Sequence, residues 1–73
     1  MNTLSTKVDA RILTKLIKSY RLENILNVVY RENNHVSPFQ IQNYKSNSAF
    51  YSDNYKLAEA YIMGVYSMTF VNP

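Results

Sequence analysis

The chain contains no cysteine and no tryptophan, it has glycine only at Gly64, and its one histidine is His35. The lack of cysteine excludes disulfides and removes the commonest ligand of structural zinc, and one histidine cannot build a metal site. A single glycine excludes glycine-rich phosphate loops and long flexible linkers. Five acidic residues and one histidine provide no identifiable nucleophile with its base and no paired-acid site. We therefore expect no metal, no cofactor and no enzymatic activity.

The length of 73 residues allows one domain with one hydrophobic core. No apolar run approaches the length of a membrane span, and the first residues lack the apolar segment of a signal peptide. Eight basic and five acidic residues give a net charge of +3, a weak preference for acidic partners. We expect a monomeric, cytoplasmic protein with one helical domain over residues 1–73 and loose tails at 1–5 and 71–73.

The first organised segment is predicted to be a helix from Lys7 to Ser19. Thr6 and Asp9 have the spacing of a capping pair at a helix start. Apolar residues then recur at helical spacing and cover about half of the helix circumference: Val8, Ile12, Leu13, Leu16, Ile17 and Tyr20.

A second helix is predicted from Leu22 to about Glu32, because Leu22, Ile25 and Leu26 continue the helical pattern. The β-branched run that ends at Tyr30 would also suit a strand, and this alternative stays open. Whether the first two segments form one bent helix is also open.

Ser37, Pro38 and Gln40 match a capping box, which predicts a short helix from Pro38 to about Lys45. The last helix is predicted to begin at Ser52 or Asp53 and to end near Thr69. It is apolar around most of its circumference, which is typical of a helix in the middle of a domain. Gly64 inside it suggests the close approach of a neighbouring helix. These segments predict an all-α bundle of three to four helices with a central C-terminal helix.

The first helix carries a stripe of cations without interleaved acids. Such a stripe could bind an acidic protein surface or nucleic-acid phosphates, although an ordinary solvated helix face also carries lysines. The predicted partner-binding residues are Lys7, Val8, Arg11, Lys15, Lys18 and Arg21.

A rival hypothesis is a helix-turn-helix between Ile25 and Asn47. In such units the second helix enters the major groove of DNA, where amide side chains can bind base edges. His35 stands where the tight turn usually has glycine, and Arg31 stands where a small residue is usual. An ordinary packed hairpin of helices explains the pattern equally well. The predicted nucleic-acid contacts are Gln40, Gln42, Asn43 and Lys45.

As a whole chain, with its charged first helix from Lys7 to Arg11 and no accessory domain, the sequence resembles the small transcription regulators of Xp10-like Xanthomonas phages. The resemblance implies a viral protein that binds host bacterial RNA polymerase, inhibits initiation and promotes antitermination. The implied contacts are the N-terminal region of the β′ subunit and the flap of the β subunit, in the host cytoplasm. The composition, rich in asparagine and tyrosine, departs from that expected for such phages. A partner-binding antitoxin is a further alternative.

Overall fold

The fold has two layers, a three-stranded sheet and a pair of helices. A computed structural model describes residues 7–34 and 36–71. The strands form an antiparallel sheet in the order β1-β2-β3. Helix α1 contacts β1, helix α2 contacts β3 and β2, and the two helices contact each other. The elements are α1 (Lys7–Ser19), β1 (Leu26–Tyr30), β2 (Phe39–Asn43), β3 (Ser48–Ser52), α2 (Tyr55–Tyr66) and a π-helical segment (Ser67–Val71).

The prediction of an all-α bundle is wrong, because the short helix predicted from Pro38 to Lys45 is strand β2 and the turn that follows it. Apolar and polar residues alternate strictly along β2. Phe39 and Ile41 are fully buried, whereas Gln40 and Gln42 are only partly buried. A helix would place Phe39 and Ile41 about 200° apart around its axis, whereas a strand directs both toward the same layer. The alternation of buried and partly buried residues with a period of two is therefore the signal that this segment is a strand and not a helix.

The predicted capping box at Ser37 is also absent, because its groups bind elsewhere. The Asn34 side-chain oxygen accepts hydrogen bonds from the amides of Val36 (3.1 Å) and Ser37 (2.8 Å). The carbonyl of Pro38 accepts from the amide of Arg31 at 2.6 Å. This segment therefore belongs to the connection between β1 and β2, and the residue before the strand is a proline that lacks an amide to donate.

The second predicted helix, Leu22 to Glu32, is wrong as well, and the strand that was left open as an alternative is β1. Helix α1 ends because Arg21 adopts a left-handed conformation with φ 60°. The amide of Leu22 donates to the carbonyl of Ile17 (2.9 Å) and that of Arg21 to Lys18 (3.0 Å), which is the Schellman pattern of a helix end. Leu22 is fully buried beyond this turn. The first two segments are thus separate elements.

The hydrophobic core lies between the sheet and the two helices. Both helices and the strands β1 and β2 contribute fully buried side chains, and half-buried aromatics surround them. The buried apolar residues are Ala10, Leu13, Ile17, Leu22, Leu26, Phe39, Ile41, Ala58 and Ile62.

The last predicted helix is confirmed for Tyr55–Tyr66, but its cap and its position differ from the prediction. Asn54 is the N-cap, because its side chain accepts from the amides of Lys56 (2.7 Å) and Leu57 (3.2 Å). The helix is not central, since Leu57 is 56% exposed. A Cβ added at Gly64 would meet no atom within 4 Å. The predicted close approach at this glycine is therefore not made by any described part of the chain.

Replacing Gly64 by alanine should stabilise the protein. Gly64 has helical neighbours, no positive φ and open space at the Cβ position, so alanine should raise the free energy of unfolding by about 1 kcal/mol through its higher helix propensity. Chemical denaturation at a protein concentration low enough to keep the chain monomeric measures the change. The matched control is Ala60→Gly, one turn earlier and also exposed, which should lower stability by a similar amount. An unchanged or lower stability of Gly64→Ala would contradict this account.

A buried asparagine connects the turn between β2 and β3 to helix α2. The side-chain oxygen of Asn43 accepts from the amides of Lys45 and Ser46, both at 3.0 Å. Its side-chain amide donates to the Tyr61 hydroxyl at 3.0 Å. The Tyr61 ring stacks on Phe50 of β3 with 4.6 Å between centroids. Asn43 thus orients the hairpin relative to the helix that packs on it.

Removal of the Asn43 side chain should therefore destabilise the fold. Asn43→Ala loses three hydrogen bonds at a buried position, each worth about 1 kcal/mol, so thermal or chemical unfolding should show a loss of about 2 to 3 kcal/mol. Tyr61→Phe, which keeps the ring stack and removes one of the three bonds, should lose about 1 kcal/mol. Equal losses from the two variants would show that the bonds to the turn contribute nothing.

Candidate partner-binding face

The six predicted partner-binding residues all lie exposed on α1 and the turn that ends it. The helix boundary is the predicted one, Lys7–Ser19. On this helix Ala10, Leu13 and Ile17 are buried against the sheet and α2. At 100° per residue the cations fall on the other side of the helix axis. We call this set the basic face: Lys7, Val8, Arg11, Lys15, Lys18 and Arg21.

The basic face is long rather than compact. From Lys7 to Lys18 the helix rises about 16 Å, and Arg21 extends the line beyond the helix end. The left-handed turn fixes the direction of Arg21, because the amides on both sides of that turn are bonded to α1. A rod of this length can contact several anionic groups on one surface.

Two aliphatic side chains of the apolar half of α1 are exposed. Val8 is 60% exposed and Ile12 is 44% exposed. They are one turn apart on the helix and border the cations, so the exposed side of α1 combines positive charge with an apolar strip. The sequence carries a signal for this, because the apolar arc of α1 is wider than a helix on the edge of a two-layer domain can bury.

One acidic residue reaches the basic face from outside the helix. The Lys7 ammonium lies 3.0 Å from the Glu32 carboxylate, and both side chains are more than half exposed. Such a surface pair contributes little to stability. Next to it, a cleft is lined by Lys7, Ala10, Arg11, Thr14, Val28 and Tyr30. This ion pair could not be predicted from the sequence, because Glu32 comes close to Lys7 only when β1 packs against α1.

The beginning of α2 carries a tyrosine with an altered acidity. Burial raises the pKa of the Tyr55 hydroxyl above its usual value of 10.0, and the negative charges of Glu59 and Asp9 and a hydrogen bond to Glu59 raise it further. Asp9 belongs to α1, so the first turns of the two helices are electrostatically coupled here. The acid of α1 thus faces α2 and leaves the basic face to the cations.

The raised pKa of Tyr55 predicts a loss of stability in alkaline solution. A group whose pKa is higher in the folded state holds its proton more tightly there, so its contribution is present below pH 10.0 and falls as the pH rises through the folded-state value. Spectrophotometric titration of wild type against Tyr55→Phe should show one late-titrating tyrosine. Glu59→Gln should lower the Tyr55 pKa without restoring the usual value, because burial remains. Titration of Tyr55 at its usual value in the wild type would contradict the structure.

Three of the four predicted nucleic-acid contacts, Gln40, Gln42 and Asn43, line one cleft, whereas Lys45 does not. Gln40 and Gln42 alternate with buried residues on β2 and face away from the helices, where Gln42 binds the side chains of Asn27 and Tyr44. Asn43 is buried, and Lys45 is exposed in the next turn. The helix-turn-helix interpretation is wrong, because the segment predicted as its recognition helix is a strand.

Several predictions lie outside the residues that the structure describes. These are the cap at Thr6, the position of His35, the N-terminal tail at 1–5 and residues 72–73 of the C-terminal tail. Within the described residues, no group of three or more histidine, aspartate or glutamate side chains could hold a metal ion. No helix in the described part of the chain combines the length and the hydrophobicity that a membrane span needs.

Comparisons with protein-family models, with curated proteins and with solved structures find no match to this chain.

Proposed function

We propose that the protein acts without chemistry of its own, by binding the acidic surface of a protein through the basic face. The observation that supports this proposal is the joint exposure of five cations and an apolar strip on one helix. A solvated helix face needs the cations but gains nothing from exposing Val8 and Ile12. A docking face uses both, because apolar contacts supply affinity and charges supply orientation and speed of association.

A protein partner fits this face better than nucleic acid does. Binding to a phosphate backbone depends on charge neutralisation by Lys and Arg, and the aliphatic side chains of Val8 and Ile12 would contribute little to it. Amide side chains suited to base edges lie on the other side of the sheet, at Gln40 and Gln42. The basic face therefore has the composition of a protein interface with a charged rim.

Bacterial RNA polymerase is the partner that we propose, and the support for this choice is the resemblance to phage transcription regulators. The protein would bind near the N-terminal region of β′ and the β flap in the host cytoplasm, inhibit initiation and promote antitermination. The geometry supports attachment to an acidic surface. The resemblance alone supports this enzyme.

Charge reversal on the basic face tests the proposal. The double substitution Arg11→Glu and Lys15→Glu should weaken binding to purified bacterial RNA polymerase by about tenfold or more, since 1.4 kcal/mol corresponds to a factor of ten. Promoter-dependent transcription should lose its inhibition in parallel. The control is Lys45→Glu combined with Lys56→Glu, which changes the net charge equally at exposed positions outside the basic face and should leave binding unchanged.

Three outcomes of this experiment would distinguish the binding face, the polymerase and the class of partner. Equal weakening by the double variant and by its control would show that net charge, and not the basic face, controls binding. The chain could fail to bind polymerase and instead capture another protein in a way that depends on Arg11 and Lys15. RNA polymerase would then not be the partner, but the basic face would still be the binding surface. Tight binding of duplex DNA or RNA that the double variant abolishes would replace the protein partner by nucleic acid.

A further inference from the structure

Helix α2 and the π-helical segment after it expose an apolar side to solvent. The neighbours of α2 are known on two sides: Tyr66 stacks on Tyr20 of α1 with 4.6 Å between centroids, and Ala58 and Ile62 are buried over the sheet. The side away from α1 and beside β3 is exposed. We call it the open flank: Leu57, Gly64 and Met68.

The open flank has the composition of a contact surface. Leu57 is 56% exposed and Met68 is 73% exposed, and the exposed Gly64 lies between them in the sequence. Of the residues described between 55 and 69, the only charged one that is exposed is Lys56. Gly64 has empty space where a Cβ would be, so a second helix could approach the backbone closely here.

Strand β3 lies below this flank and is an edge of the sheet. Edge strands in natural proteins usually carry a charge, a proline or a bulge that prevents pairing with another chain. None of these occurs between Ser48 and Ser52, and β3 pairs with β2 residue for residue without a bulge. The edge is therefore able to accept another strand.

The hydrogen-bond pattern shows which groups β3 offers. At the two ends of β1, the amide of Arg31 donates to Pro38 and the amide of Tyr44 donates to Ile25. Because bonding alternates along an antiparallel strand, the even-numbered residues of β2 bond to β1 and the odd-numbered ones bond to β3. Their β3 partners are residues 48, 50 and 52. The amides and carbonyls of Ala49 and Tyr51 consequently point outward from the sheet.

In place of the monomer expected from the sequence, we propose that a second copy of this chain occupies both surfaces at once, by antiparallel pairing of β3 with β3 around a two-fold axis next to Phe50. In this register Ala49 exchanges two hydrogen bonds with Tyr51 of the other copy, and Phe50 lies opposite its own copy. Ser48 then lies opposite Ser52, so no charged residue of β3 meets a like charge. The two sheets become one sheet of six strands.

The same two-fold axis brings the open flanks together. Strands in a sheet are about 4.8 Å apart, and α2 lies over β3 and β2. Two copies of α2 centred about one strand from the axis would be about 10 Å apart, a normal distance for packed helices. The half-buried Phe50, which stacks on Tyr61, would be covered by its copy beneath the two helices.

The size and charge of the surface suit such a dimer. A stable interface buries about 800 Å² on each partner, roughly one sixth of the 5048 Å² that one chain exposes. A five-residue strand edge alone is too small, but strand and flank together provide two layers of contact. The basic face lies on α1, which packs over β1 at the opposite edge of the sheet from β3. The two cationic helices of the dimer are therefore far apart, and the net charge of +3 on each chain does not bring like charges into the interface.

Sedimentation equilibrium of the wild-type chain over a wide range of concentration tests the proposal. We expect a species of twice the 8.5 kDa of one chain, and amide hydrogen exchange that slows at Ala49 and Tyr51 as the dimer forms. A mass of one chain at all concentrations would overturn the proposal. So would a dimer in which these two amides exchange as rapidly as in the monomer.

Two variants with a matched control locate the interface. Leu57→Glu should raise the dissociation constant of the dimer by about tenfold or more. The control Val8→Glu introduces the same charge at a similarly exposed position in the first turn of α1, since Val8 is 60% exposed and Leu57 is 56% exposed. This control should not change the dissociation constant. Ala49→Pro removes an outward amide without removing a bond to β2 and should also weaken the dimer. Equal effects of Leu57→Glu and Val8→Glu, or no effect of Ala49→Pro in a chain with wild-type circular dichroism, would overturn the proposal. Dimerisation does not depend on the partner of the basic face, so either proposal can fail alone.

Discussion

The alternation of side chains along β2 is the constraint on which the rest of the structure depends. Phe39 and Ile41 are fully buried, and they occupy the middle of the sheet, where α1 and α2 meet over it. Both neighbouring strands take their register from this strand. A shift of one residue would expose both side chains and bury two glutamines. The positions of the basic face and of the open flank follow from this register, because each helix packs over one half of the sheet.

Asparagine residues form the turns and the helix cap for which many small domains use glycine. Asn34 and Asn43 organise the two strand connections through their side-chain oxygens, and Asn54 caps α2. Asn47 adopts a positive φ of 55° in the turn between β2 and β3, a conformation that asparagine tolerates. The asparagine-rich composition therefore has a structural explanation. It allows tight turns in a chain with one glycine, and that glycine lies in a helix.

The sequence predicted the two helices that the structure contains, but it also predicted two helices where the structure has strands β1 and β2. Helix α1 was predicted correctly because its apolar residues have a long helical period and its polar side is uniform. Strands β1 and β2 were misassigned because five-residue runs carry little periodic information, and the pairing of Leu26 with Asn43 is invisible in the sequence. The helix start predicted at Ser37–Pro38 is wrong because the Asn34 side chain binds the amides of Val36 and Ser37. The exposed positions of Val8, Ile12 and Leu57 required knowledge of which layer lies beneath each helix.

The stack of Tyr20 on Tyr66 joins the end of the first helix to the end of the last. During folding the strands can pair early, since both connections are short and local. The second layer over β3 is complete only when α2 has docked. An intermediate in which α2 is undocked leaves Phe50 without its stacking partner Tyr61, and such partly built sheets associate readily. Aggregation of this protein should therefore depend on how fast α2 docks on the sheet.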